Sequence, residues 1–214
     1  MPHAASHDHP LSRRVLVVLT VEALCRLHVS ASFDVHSGEC IALQGASGVG
    51  KSLLLRAIAD LDVNEGILKL DGVLRESMPA PLWRKKVTYV AAEPGWWAET
   101  VQEHFPAWSE AIPLIEKLGL PVACGSWDIR RLSTGEKQRL GLVRALVLDS
   151  RVLLLDEPTS ALDANSTKIV ESMIADRASM GAGIIWSTHD KAQAQRVGSR
   201  LFIMSGGRIE ELPP

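Results

Sequence analysis

No run of apolar residues approaches the length of about eighteen that spans a bilayer, although apolar types make up 46% of the 214 residues. Work at a membrane would therefore need another chain for the membrane part. Cysteine is scarce. Cys25, Cys40 and Cys124 are widely spaced and odd in number, with no CxxC pair, so reduced, partly buried thiols of a cytosolic protein are expected. Basic charge is not in excess, the net charge being −2. That removes the electrostatic reason to expect sequence-independent binding to nucleic acid, which needs a basic face. The opening MPHAASHDHP lacks the apolar core of a secretory signal. No internal repeat is visible.

What is present fits one domain with a substantial core. Residues 1–12 read as a disordered polar tail, and His3, His7 and His9 as solvated side chains before metal ligands. Short apolar runs between Val15 and Val35 and at Cys40–Leu43, Ile67–Leu70 and Val87–Val90 predict strands. Helical spacing predicts helices at 52–61, 111–118 and 164–180. Val152–Leu155, all β-branched or leucine, predicts a strand covered on both faces. Gly183–Ser187 and Leu201–Met204 predict the last core strands, with a hairpin turn at Gly206-Gly207. Strands alternating with helices imply an α/β fold with a mainly parallel sheet, here with an N-terminal antiparallel β portion. We divide the single domain of residues 13–214 into a core at 13–94 and 151–214 and an inserted helical subdomain at 95–150. That insert holds Trp96, Trp97, Phe105, Trp108 and Trp127.

Gly45, Ala46, Ser47, Gly48, Val49, Gly50, Lys51 and Ser52 match the P-loop pattern GxxxxGK followed by Ser or Thr. The glycines let backbone N–H groups turn inward around a phosphate chain, and the helix that follows, through Leu53, adds partial positive charge. Lys51 is expected to reach the β- and γ-phosphates and the Ser52 hydroxyl to ligate Mg²⁺. A glycine-rich turn matching by accident has odds on the order of 1% in a chain this long. A strand before and a helix after supply the context a true motif requires. Farther on, the apolar strand Val152–Leu155 ends in Asp156 and Glu157. Asp156 falls beside the Mg²⁺ shell, and strand alternation turns Glu157 toward a water that would attack the γ-phosphate. In isolation, two acids capping a strand end would be the better explanation; with a P-loop upstream they are not.

Leu132-Ser133-Thr134-Gly135-Glu136 resembles the LSGGQ signature of ABC (ATP-binding cassette) ATPases, with Thr for the first Gly and Glu for Gln. Lys137-Gln138-Arg139 follows, as in many members. Ser160-Ala161-Leu162-Asp163 is similar to the family's D-loop, and Ser187-Thr188-His189-Asp190 to its switch-histidine segment. The resemblance covers residues 29–210 or so. It implies a P-loop NTPase core, ATP and Mg²⁺ as ligands, and a head-to-tail homodimer in which Lys51 of one chain and Ser133 of the other grip each ATP. Ser133 through Glu136, at a helix start, would form the second chain's anion site. His189 would approach the γ-phosphate and hold the attacking water and Glu157.

Two departures stand out. Ala92 occupies the place where the family carries a glutamine that contacts Mg²⁺ and the membrane partner's docking helix. Alanine cannot ligate a metal, so Glu93 or a water substitutes, or the contact is absent. Residues 15–32 also hold no Phe, Tyr or Trp to stack adenine; His28 or an aliphatic such as Leu24 is left for that task. Base stacking on an aromatic contributes ~1–3 kcal/mol, so its loss weakens ATP binding about ten-fold. Trp96-Trp97, beside the missing glutamine, is read either as core or as a docking surface for a permease.

The resemblance implies the energy-coupling subunit of an ABC transporter, peripheral on the cytoplasmic face of the membrane and bound to a polytopic permease. The short length, LSTGEKQR and THDK look most like subunits assigned to bacterial metal (iron) export. The rivals are an ABC module that remodels the envelope or signals without transporting, and soluble ABC ATPases of DNA repair or translation. Repair types usually carry a long coiled-coil insertion, whereas about 80 residues without heptads separate Ser52 from Leu132. Translation types usually carry two cassettes.

Overall fold

The short apolar runs of the first segment, split by polar residues, become paired strands. The structure, a computed structural model, describes residues 16–213; the expected tail at 1–12 lies outside them. β1 (Val17–Arg26) and β2 (Val29–His36) form an antiparallel hairpin that buries Val18, Leu19, Val21, Leu24, Val29 and Val35. β3 (Cys40–Gln44) leads into α1 (Lys51–Ile58), then β4 (Glu65–Leu70), β5 (Val73–Leu74), α2 (Ala80–Lys86) and β6 (Val87–Val90). α3 (Trp108–Lys117) and α4 (Thr134–Leu146) precede β7 (Val152–Asp156), α5 (Ala164–Ser179), β8 (Gly183–Thr188), α6 (Lys191–Val197), β9 (Arg200–Ser205) and β10 (Arg208–Glu211).

The strands form one ten-stranded sheet in the order β5-β4-β1-β2-β10-β9-β3-β8-β7-β6. From β9 through β6 all neighbours run parallel, while β1, β2, β4 and β5 pair antiparallel. This is the α/β P-loop arrangement with an antiparallel portion at one side. Every residue of β7 is buried, as its apolar run predicts. Its side chains alternate between two cores: Leu153 and Leu155 join one cluster with α4, α5 and Trp186, and Val152 and Leu154 join the other with α1 and the β1–β2 hairpin. Between β6 and β7 the chain forms helices and single 3₁₀ turns, with one isolated bridge, Thr100–Asp128.

Local differences have local causes. The helix expected at 52–61 is shorter, because Asp60 turns left-handed (φ 58°) and leaves Leu61 40% exposed. α2 and α6 were not expected. In α2, Trp83 is fully buried and donates its indole N–H to the Ile58 carbonyl, and Arg84 donates to the Asp60 carbonyl. α6 is nucleated by Asp190, whose carboxylate accepts from the N–H groups of Ala192 and Gln193.

Candidate functional site

The parallel strands β3, β6, β7 and β8 end on the same edge of the sheet, the edge where α/β proteins bind ligands. The loop after β3 can wrap an anion because its glycines take conformations closed to other residues. Gly50, the N-cap of α1, sits at φ 115°, and a Cβ there would lie 2.6 Å from Val29 Cγ2. Lys51 is buried. Its ammonium donates to the carbonyls of Gly45 (2.7 Å) and Ala46 (3.2 Å) and lies 3.6 Å from Glu157 Oε1.

A cleft of about 530 Å³ is lined by Ser47, Gly48, Gly50, Lys51, Ser52, Leu53, Ala92, Asp156, Glu157, Ser160 and His189. Thus residues expected from three distant stretches of chain share one space. Asp156, 4% exposed, is fixed from both sides: Oδ1 accepts from the Ser187 hydroxyl (2.7 Å) and Oδ2 from the Tyr89 hydroxyl (2.8 Å). Burial, then the neighbouring Asp156 charge, pushes the Tyr89 phenol far up, so it remains a donor. Glu157 adopts φ 47°, a left-handed conformation that costs a non-glycine residue roughly 1–3 kcal/mol. It is held there by Ser187, whose carbonyl and hydroxyl both accept from the Glu157 N–H at 3.2 Å. The strained turn aims the carboxylate: Oε2 lies 3.0 Å from His189 Nδ1 and Oε1 faces Lys51.

Ser133, Thr134, Gly135 and Glu136 do not line this cleft. Ser133 caps α4, and Glu136 closes a capping box, accepting from the Ser133 hydroxyl (2.7 Å) and N–H (2.8 Å). Those bonds hold the Glu136 carboxyl below the ordinary range. Glu93 is exposed and also lies outside the cleft lining, where Ala92 is found instead. Leu24 is 1% exposed within the core and offers no face to a base. His28 is exposed, its Nε2 3.5 Å from where a Gly50 Cβ would stand.

The aromatic segment divides. Phe105 is buried in a T-shaped contact with half-buried Trp108, ring centroids 5.3 Å apart. Trp97 is 70% exposed. The Arg144 guanidinium stands 4.9 and 4.8 Å from the Trp96 and Trp97 ring centroids and donates to the Gly95 carbonyl. His104 braces the backbone beneath, Nε2 accepting from the N–H groups of Trp97 and Ala98 and Nδ1 donating to the Thr100 carbonyl.

Sequence reasoning did not single out Tyr89 or Ser187 as holding Asp156, nor the four-way contacts of Gln138 described below. Their signal is the register of β6, β7 and β8, which pairs Tyr89 with Leu154 and Asp156 with Ser187.

Fold and cleft together define a P-loop nucleotide hydrolase. A family model described as ABC transporter matches residues 29–160. A phosphate import ATP-binding protein of Natronomonas pharaonis is 32% identical over 210 residues, covering 86% of this chain and 74% of the relative. A sulfate/thiosulfate import ATP-binding protein of Chromobacterium violaceum is 32% identical, over 90% of this chain but 57% of the relative. The probable iron export ATP-binding protein of Escherichia coli K12 is 33% identical over 75% of this chain and 76% of its own length. Among solved structures, the ATP-binding subunit of an ABC transporter superposes with a TM-score of 0.81 at 26% identity, covering 91% and 90% of the two chains. A dimeric ATP-binding cassette with ADP and Pi bound superposes at 0.78 and 20% identity, covering 92% and 99%. The chain belongs to the ABC transporter family, as an ATPase.

Proposed function

We propose that this chain couples ATP-driven closure of a head-to-tail homodimer to conformational change in a separate polytopic permease, working at the cytoplasmic face of the membrane. The observation that carries the reading is the division of the machinery. Lys51, Ser52, Asp156, Glu157 and His189 share one cleft, whereas Ser133–Glu136 cap α4 outside it. A second copy is the natural source of a signature end for each cleft.

The backbone N–H groups of residues 45–52 would cradle the phosphate chain, with Lys51 leaving its two carbonyls for the β- and γ-phosphates. Ser52 and Asp156 are the hard oxygen donors for Mg²⁺, which takes few protein ligands and completes its shell with phosphate and water. Bound there, the ion would neutralise charge developing on the phosphates. Glu157 would accept a proton from the water whose oxygen attacks the γ-phosphorus, as the bond to the β-phosphate oxygen breaks. His189, bonded to Glu157, would orient both. The exposed Glu93 would support the Mg²⁺ shell through water. His28 would contact the adenine, and the exposed Trp97, with Arg144, would dock the permease.

Metal export is the cargo reading favoured by LSTGEKQR and THDK, and the E. coli iron export relative accords with it. The importers above match equally well, as expected when an ATPase touches nucleotide and permease but never cargo.

The test is to recover tagged Glu157→Gln from detergent-solubilised membranes with Mg-ATP. Because the variant should bind ATP but hydrolyse it very slowly, a polytopic protein at near-equal stoichiometry is expected. Recovery of the homodimer alone, or of ribosomes or repair proteins, would count against the reading.

A further inference from the structure

Gln138 lies on α4, five residues beyond the Ser133 cap, and is 2% exposed. Its amide makes four contacts with the segments around the cleft. Nε2 donates to the Glu157 carbonyl (3.0 Å) and the Ser160 hydroxyl oxygen (3.1 Å), and approaches the Ala92 carbonyl at 3.3 Å. Oε1 accepts from the Ala161 N–H at 3.0 Å. An amide nitrogen has two hydrogens, so three acceptors must share them, and Ala92 holds the longest and weakest claim.

These partners lie in the segments that carry the proposed reaction. Glu157 is the hydrolytic carboxylate, its strained peptide gripped by Ser187 at the N–H and by Gln138 at the carbonyl. Ser160 and Ala161 follow it, and Ser160 lines the cleft. Ala92 stands where a side chain able to reach the metal is missing. A helix is stiff over a turn and a half, so displacement of the Ser133 end of α4 displaces Gln138 with it.

We propose that Gln138 is a positioning residue that transmits engagement of the Ser133–Glu136 end of α4 to Glu157 of the same chain. The inference rests on the reading that Ser133–Glu136 meet the ATP held by a second copy. Nucleotide captured at one cleft then sets the hydrolytic carboxylate of the other through the Gln138 amide.

The experiment compares steady-state ATP hydrolysis by the purified full chain, Gln138→Glu and Ser160→Ala. Glutamate keeps the acceptor for Ala161 but loses the donors, so kcat should fall about tenfold or more, with KM for ATP within about threefold and the Hill coefficient moving toward one. Ser160→Ala removes one acceptor at an exposed position and should lower kcat about threefold with KM unchanged. A purely structural role would instead lower the thermal midpoint while leaving the Hill coefficient in place, and that outcome overturns the proposal. So does a wild-type kcat and Hill coefficient in both variants, or in Ser160→Ala alone should Gln138→Glu fail to fold. Absence of hydrolysis by the unaltered chain would overturn the underlying reading and this inference with it, whereas a hydrolysing chain whose variants keep the wild-type Hill coefficient overturns this inference alone.

Discussion

Asp156 presents an almost fully buried carboxylate at the cleft, and two hydroxyls share its satisfaction, from Tyr89 on β6 and Ser187 on β8. Hydrogen bonds to a buried charge are among the stronger ones, each contributing ≈ 1.5–3 kcal/mol. Tyr89→Phe should therefore cost about 2 kcal/mol of unfolding free energy in urea. Unchanged stability would mean that Ser187 alone suffices. Glu157 offers the complementary lesson. The direction of its carboxylate comes from a backbone angle that sequence alone does not report, whereas its place just after β7 was legible from the apolar strand preceding it.

At the level of elements, legibility followed chain locality. The P-loop, the doubly covered β7 and the capped α4 are each specified by consecutive residues, and all three were readable. α2 was not, because seven residues with three consecutive basic ones at the end carry no periodicity, and Trp83 is the residue of the helix that is buried. The supports of Asp156 and the Gln138 contacts were invisible because they arise between strands and helices distant in sequence. The α4 cap makes a pH-dependent prediction. Glu136 is held below its ordinary value, so its stabilising contribution is complete above the unfolded glutamate range and is lost as pH falls through the lowered folded value. Glu136→Gln retains an acceptor without the titration. The stability gap between wild type and variant, measured by thermal melts from neutral to acidic pH, should narrow as pH drops. A constant gap would assign the cap to geometry alone.

Across the whole molecule, one sheet gathers the ends of four parallel strands while two cores grip β7 from opposite faces. In the proposed reading the cleft they form would hold phosphates through backbone, lysine and hydroxyl groups, none of which reads a nucleobase. Leu24 is sealed in the core, and the exposed ring near Gly50 belongs to His28. A weakly gripped base is a weakly discriminated one. The chain should be permissive in its fuel: kcat/KM for GTP should lie within about ten-fold of that for ATP, the margin a single stacking contact supplies. A steeper preference for ATP would point to a base-reading contact supplied by the second subunit. In a cell whose purine pools shift with growth, such a motor would follow total triphosphate supply more closely than adenylate charge.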